Sequence, residues 1–346
     1  MMEKTLYHFA LAIGITLASC VVPISQDAGF QKIQSGCLLF IHDPSERREL
    51  WSWCEGEKPQ TFLKDVFGIQ DYTISADGSE LFYSQSNNLR GTDIWRLVVK
   101  TKRREKIHTC HEFSCTELNY NSTTGDLAFV EVGQPPSLIL LNPQTREMKA
   151  LPFYAVDLSF SPNGQFLVFW DKNANQIIIL DVDGSLVWRA DSQEGLIGEW
   201  AKDSSYILFS SNNYWGGIPG MNIYSLEMNS GNVELILDSA NQQIEYYNPT
   251  FFQSNEYMLT AVRGSDIGYA RQLWLLNLNG DVKRQITKDY NYDHSAFRLN
   301  GDDSKLIYQR FALNQADSQT ELWVYDFQSD DFYMIAKNAS NPRWFP

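Results

Sequence analysis

Two short patterns recur in step along this chain, and their period limits the fold more than any other feature. The first is a polar or acidic turn, then two variable positions, then an apolar run ending in an aromatic. It reads SADGSELFY at 75–83, SPNGQFLVF at 161–169 and AKDSSYILF at 201–209, with looser copies at 122–129, 252–260 and 300–308. Gly, Asn or Asp at the turn supplies the backbone freedom that a tight hairpin requires. The second pattern accompanies the first as ELWSW (49–53), DIWRL (93–97), SLILL (137–141), QIIIL (176–180), NIYSL (222–226), QLWLL (272–276) and ELWVY (321–325). These seven copies advance by 44, 44, 39, 46, 50 and 49 residues.

Each period holds four short runs rich in β-branched and aromatic residues, separated by turn chemistry. In the period from Val156 they are VDLSF, FLVFW, QIIIL and SLVWR. Four strands in such a period make one blade of a β-propeller. A β-sandwich would not keep two patterns in phase over seven periods. The expected fold is therefore all-β, a seven-bladed β-propeller of four-stranded antiparallel blades. The chain enters at Cys37-Leu38-Leu39-Phe40, which matches the second strand of a blade, and Asn341 to Pro346 supplies the missing first strand. Pairing the two ends closes the ring and leaves no open edge between blades. First strands are expected near 71, 116, 156, 198, 248, 294 and 341. The propeller occupies 36–346, about 44 residues per blade.

The N-terminus reads as an address. Lys4 precedes the apolar stretch Phe9 to Ala18, and small residues follow it, as in an export signal. Leu17-Ala18-Ser19-Cys20 resembles the bacterial lipobox, in which a peptidase cuts before a cysteine that carries lipid. Residues 1–19 are thus read as a lipoprotein signal peptide, Cys20 as the lipidation site and 20–35 as a tether. An ordinary secretory peptide is the alternative. An uncleaved anchor fits poorly, because Phe9 to Val22 is short for a bilayer span. The chain is expected outside the cytoplasmic membrane, on its periplasmic or extracellular side. Val21 is not the Asp that retains lipoproteins at an inner membrane, so outer-membrane sorting is expected in a two-membrane host.

Cysteine usage agrees with export. Setting Cys20 apart leaves Cys37, Cys54, Cys110 and Cys115, an even set suited to an oxidising compartment. Cys37 and Cys54 flank one hairpin symmetrically and would face each other across it, and Cys110 and Cys115 would close a short loop. His108, Cys110, His111 and Cys115 offer a metal site as the competing reading, although their spacing matches no standard zinc pattern. Neither a metal nor another cofactor is expected.

The turn S-x-[DN]-G, its apolar-aromatic run and the following [IL]-W strand resemble the WD-like repeats of the TolB family. The same repeats occur in prolyl-oligopeptidase-type propellers. This resemblance covers 36–346 and implies an envelope protein that binds other proteins through its propeller. The chain has no room for the α/β domain that precedes the TolB propeller, and no G-x-S-x-G nucleophile elbow marks a hydrolase. Membership of the Tol–Pal system is accordingly not carried over.

Loops on a rigid scaffold are where function concentrates. The long connections are expected at 211–221, 238–247, 263–270, 288–293 and 310–319, all on one face of blades five to seven. They bring Tyr214, Trp215, Tyr246, Tyr247, Tyr269, Tyr290 and Tyr292 as aromatic anchors, with Arg263, Asp266, Asp289 and Asp293 as a polar rim. The competing reading is that these aromatics fold back to seal gaps between blades. The recurrent Trp51, Trp95, Trp274 and Trp323 read as packing residues, Asp181-x-Asp183-Gly184 as a turn, and His294 beside Asp293 as an isolated candidate base. With 28 Lys+Arg against 42 Asp+Glu the formal charge is −14, the wrong sign for a nucleic-acid partner.

The sequence reading is thus a monomeric, non-enzymatic binding module that meets a protein or peptide through the loop face of blades five to seven. A propeller enzyme or glycan-binding lectin with its site in the central channel is the rival. It would be marked by carboxylates of perturbed pKa lining a deep pocket there.

Overall fold

The computed structural model describes residues 36–43, 47–65, 67–110, 113–192, 195–212, 220–239, 244–252, 256–264, 268–315 and 318–346, with backbone only at 268–269. Residues 1–35, which include Cys20 and the segments read as a signal and a tether, lie outside the described residues. Twenty-eight strands, from β1 (Leu38–His42) to β28 (Ala339–Trp344), form seven four-stranded antiparallel sheets. The all-β, seven-bladed propeller is therefore the observed fold. Blade one takes its inner strand from the C-terminus, in the order β28, β1, β2 (Glu49–Trp53) and β3 (Gln60–Leu63). The pairing sets Leu38 opposite Trp344 and His42 opposite Ala339. The other inner strands are β4 (Ile69–Ile74), β8 (Cys115–Tyr120), β12 (Ala155–Phe160), β16 (Gly195–Trp200), β20 (Ile244–Phe252) and β24 (Tyr292–Leu299).

The recurring turn explains itself at atomic level. Ser75 Oγ donates to Asp77 Oδ1 at 2.7 Å and accepts from the Glu80 N–H at 2.9 Å. Ser161, Asn163 and Phe166 repeat this arrangement at 2.7 and 2.9 Å. Gly78 and Gly164 stand between at φ +67° and +70°, a conformation costly for any side-chain-bearing residue. The turn thus consumes its own polar groups, and the apolar run that follows is left to pack.

Seven apolar clusters hold the ring, one in each gap between neighbouring blades. Alternate residues of a strand serve opposite gaps: Leu39 and Ile41 pack toward blade two, while Leu38 and Phe40 pack toward blade seven. Side chains alternate across a strand, so a sheet covered on both faces has no outward polar side, which is why these strands read as continuous apolar runs. Cys37 and Cys54 are joined at 2.07 Å across the first hairpin, as the register Leu38 opposite Trp53 requires. Cys110 and Cys115 are joined as well, with Cα atoms 6.1 Å apart. The His108, Cys110 and Cys115 ligand atoms lie within 4.8 Å of one another, but the bridge commits both sulfurs. His111 lies outside the described residues.

Candidate functional site

Six of the seven inner strands carry the same irregularity, a bulge in which two residues face one on the neighbouring strand. The bulged pairs are Glu117-Leu118, Asp157-Leu158, Gly198-Glu199, Asn248-Pro249, Ala296-Phe297 and Asn341-Pro342. The first residue has positive φ at Glu117, Asp157, Asn248, Ala296 and Asn341, between 44° and 59°. Such backbone costs roughly 1–2 kcal/mol per non-glycine residue and needs compensation.

The compensation comes from the neighbouring blade. Backbone N–H groups in or just beyond the bulge turn toward the carboxylate of the preceding inner strand. Leu118 N–H donates to Asp71 at 2.8 Å, Asp157 N–H to Glu117 at 3.1 Å and Phe251 N–H to Glu199 at 3.1 Å. Asn341 Nδ2 adds a bond to Asp71 at 2.7 Å across the ring closure. These carboxylates therefore latch one blade to the next around the channel.

Burial leaves some of these carboxyls hard to ionise, against the pull of the latch bonds. Burial, then the neighbouring Asp157 and Asp71 charges, pushes Glu117 up to about 7, and burial pushes Glu199 to about 7 despite Arg298. Burial also raises Asp157. For an acid raised in the folded state, the native chain keeps a proton that the unfolded chain releases. Stability from Glu117 is thus full below pH 4.5 and declines as pH rises toward about 7. Glu117→Gln keeps an acceptor for the Asp157 N–H and removes the charge. Its thermal midpoint should match the parent at pH 5 and exceed it by about 3 °C at pH 8. An offset that does not change with pH in differential scanning calorimetry would refute the assignment.

The second feature lies in the seam between blades six and seven. A cleft of about 720 Å³ runs from the connection at Lys288-Asp289 down to Asp330 and Phe332. Blade six contributes β23 (Val282–Gln285), and blade seven contributes β24, β25 (Lys305–Ala312), β26 (Glu321–Asp326) and the start of β27 (Phe332–Lys337). Within it the Arg310 guanidinium is sandwiched between Tyr292, at 4.0 Å, and Trp323, at 4.1 Å. Glu321 accepts from Arg310 Nε at 2.9 Å and from Trp323 Nε1 at 3.0 Å, and these bonds hold its pKa below the ordinary value against burial. Tyr290, 45% exposed, stands beside the lining residue Gln285 and accepts from its Nε2 at 3.0 Å. Phe332, 42% exposed, lies in the lining. A stacked, paired arginine is rigid, so the cleft is preformed rather than assembled on contact.

The sequence-derived contact residues separate into three groups. Tyr290 and Tyr292 lie at this cleft, with Asp289 in its lining. Tyr246 and Tyr247 are only 6% and 8% exposed: Tyr246 packs between blades five and six, and Tyr247 between six and seven. Their segment is not a loop but part of the nine-residue strand β20. Arg263 likewise sits in β21 (Tyr257–Gly264), where its Nε donates to Glu245 at 2.6 Å over the Tyr247 ring. Tyr214, Trp215, Asp266 and the Tyr269 side chain lie outside the described residues.

His294 is buried, and burial lowers it to about 4. Its Nδ1 lies 2.9 Å from the Arg271 carbonyl and must donate there, so the neutral ring pins β24 to β22 (Gly268–Asn277). Arg271 in turn forms a fork with Asp293. Sequence reasoning named neither Arg310 nor Glu321, and it anticipated carboxylates in the channel without naming any of them. The carboxylates do carry a signal: an Asp, Glu or Asn before Leu or Pro interrupts otherwise apolar strands at 117, 157, 248 and 341.

No protein-family model and no curated protein matches the chain. Solved structures do. TolB from Acinetobacter baumannii aligns with a TM-score of 0.54 at 14% identity, over 90% of this chain and 67% of that one. The dihydro-heme d1 dehydrogenase NirN aligns at 0.58 and 10%, over 93% and 78%. A prolyl endopeptidase aligns at 0.66 and 10%, over 90% of this chain but 49% of its own length. At these identities the likeness is one of fold.

Proposed function

We propose that the chain is a non-enzymatic binding module of the cell envelope, anchored by lipid at Cys20, that engages a protein or peptide through the seam of blades six and seven. The observation that carries this reading is the preformed cleft, with an arginine stacked between Tyr292 and Trp323 and the exposed aromatics Tyr290 and Phe332. Aromatic and arginine side chains held rigid in a groove are the residues that anchor interfaces. The solved TolB fold supports a binding role, and the lipobox supports the address.

The channel carboxylates are the specific observation favouring the rival reading, an enzyme or lectin site on the axis. Their engagement by neighbouring N–H groups accounts for their placement as inter-blade latches, so the seam remains the leading site. Replacing Tyr290 by Ala together with Phe332 by Ser should cut the yield of a specific partner from crosslinked envelopes by about tenfold. The thermal midpoint should hold, because both side chains are substantially exposed. Undiminished capture would remove the seam from the binding surface.

A further inference from the structure

The inner strands do not line the channel evenly. Its acidic residues come from four consecutive blades: Asp71, Glu117, Asp157 and Glu199 on blades two to five. Blade six offers Asn248 and Thr250, while blades seven and one offer Arg298 and Arg343. A cavity of about 330 Å³ is lined by Asp157 on the acidic side, by Asn248 and Thr250, and by Arg298 and Arg343 on the basic side. That is at the lower end of the range for small-ligand sites, about 300–1,000 Å³.

Asp71, Glu117 and Glu199 are satisfied by the latch bonds already described, and the Asp157 carboxylate accepts from the Ile197 backbone N–H. The basic wall is not satisfied in this way. Among the described residues the Arg298 guanidinium makes no hydrogen bond or ion pair. Arg343 donates one long bond to the Leu118 carbonyl at 3.4 Å, and its Nε is buried without a partner. Arg298 is exposed to the channel yet surrounded by protein. Burial and then the like charge of Arg343 lower its pKa, against the pull of Asp157, Glu199 and Tyr72. Two guanidinium groups on neighbouring inner strands, with donors unspent and each in the other's field, match an anion that accepts from both forks. Asp157, the acidic residue of the cavity lining, disfavours a bare anion. A ligand that also presents an ammonium to Asp157 meets complementary charge at both ends.

We propose that the channel binds a compact zwitterion of the amino-acid or short-peptide class, its carboxylate on Arg298 and Arg343 and its ammonium toward Asp157. This site is separate from the blade six–seven seam, so either can fail alone.

Isothermal titration of the full chain with alanyl-alanine, its N-acetyl form and inorganic phosphate tests the proposal. The dipeptide should bind, and N-acetylation should weaken it by at least about tenfold. Arg298→Met should weaken it by about 30-fold or more. Arg298→Lys, which keeps the charge but loses the fork, should fall between, and it carries the test should the methionine variant not fold. The seam variant Tyr290→Ala with Phe332→Ser should bind the dipeptide as the parent does. No binding of the dipeptide up to about 10 mM would overturn the proposal. So would undiminished binding by the Arg298 variants, or phosphate binding more tightly than the dipeptide.

Discussion

Ending the chain at Asn338 is expected to abolish cooperative folding. The cut removes β28, which is at once the inner strand of blade one and the pairing that closes the ring. Several independent contacts go with it. Phe345 N–H donates to the Cys37 carbonyl at 2.7 Å, and Gly36 N–H donates back to the Phe345 carbonyl at 3.1 Å. The buried Tyr72 hydroxyl lies 2.6 Å from the Leu39 carbonyl and 2.8 Å from that of Asn341, tying both termini to blade two. Phe345 fills the gap over Gly78, where an added Cβ would come within 2.6 Å of its ring. Truncation leaves β1 with an unpaired edge and opens the clusters that it shares with blades two and seven. Whole domains are stable by only about 5–15 kcal/mol, less than these losses together. Circular dichroism on heating should show no sharp transition. The milder Phe345→Ala should fold with a loss of about 3–5 kcal/mol. A truncated chain that unfolds sharply near the parental midpoint would show that the ring does not depend on this closure.

Gly198→Ala is expected to be the most damaging single methyl addition in the channel wall, at about 3 kcal/mol or more. Gly198 opens the blade-five bulge, where other blades carry Glu117, Asp157, Asn248, Ala296 and Asn341. Its φ is not in the left-handed region, so the constraint is space. A Cβ there would lie 2.4 Å from the Pro249 carbonyl oxygen and 2.7 Å from that of Leu208. Backbone atoms of two blades cannot rotate aside as a side chain would, so blades five and six must separate. Gly56→Ala is the control: φ is +79° but nothing lies within 4 Å, so only the conformational cost of about 1 kcal/mol applies. Urea unfolding of the two variants should order them accordingly, and equal losses would exclude the close approach at Gly198.

The architecture was legible because propeller information is local and repeated. Each S-x-[DN]-G turn closes on its own hydroxyl and carboxyl or amide group, and each blade restates the pattern. Cys37 and Cys54 were legible for a related reason, since their symmetric spacing about one hairpin fixes the register that joins them. Tyr246 and Tyr247 were not. Adjacent tyrosines point to opposite sheet faces, and in a propeller both faces are covered by neighbouring blades, so each ring enters a different inter-blade cluster. The channel was raised as the rival's site, but its residues could not be named, because its charged groups are single residues drawn from strands between Asp71 and Arg343 and no local window holds two of the blades. The cleft was half legible: Tyr290 and Tyr292 stood out as aromatics, but Trp323 reads as packing until Arg310 is seen stacked upon it.

Placing a photoreactive phenylalanine analogue at Tyr290, and separately at Leu186 on the outer strand of blade four, tests the binding seam most directly. Both side chains are about half exposed, 45% and 53%. On irradiation of intact cells, position 290 should give a discrete protein adduct that position 186 does not. Adducts of equal yield at both positions, or none at 290, would contradict the seam as the surface through which this propeller works.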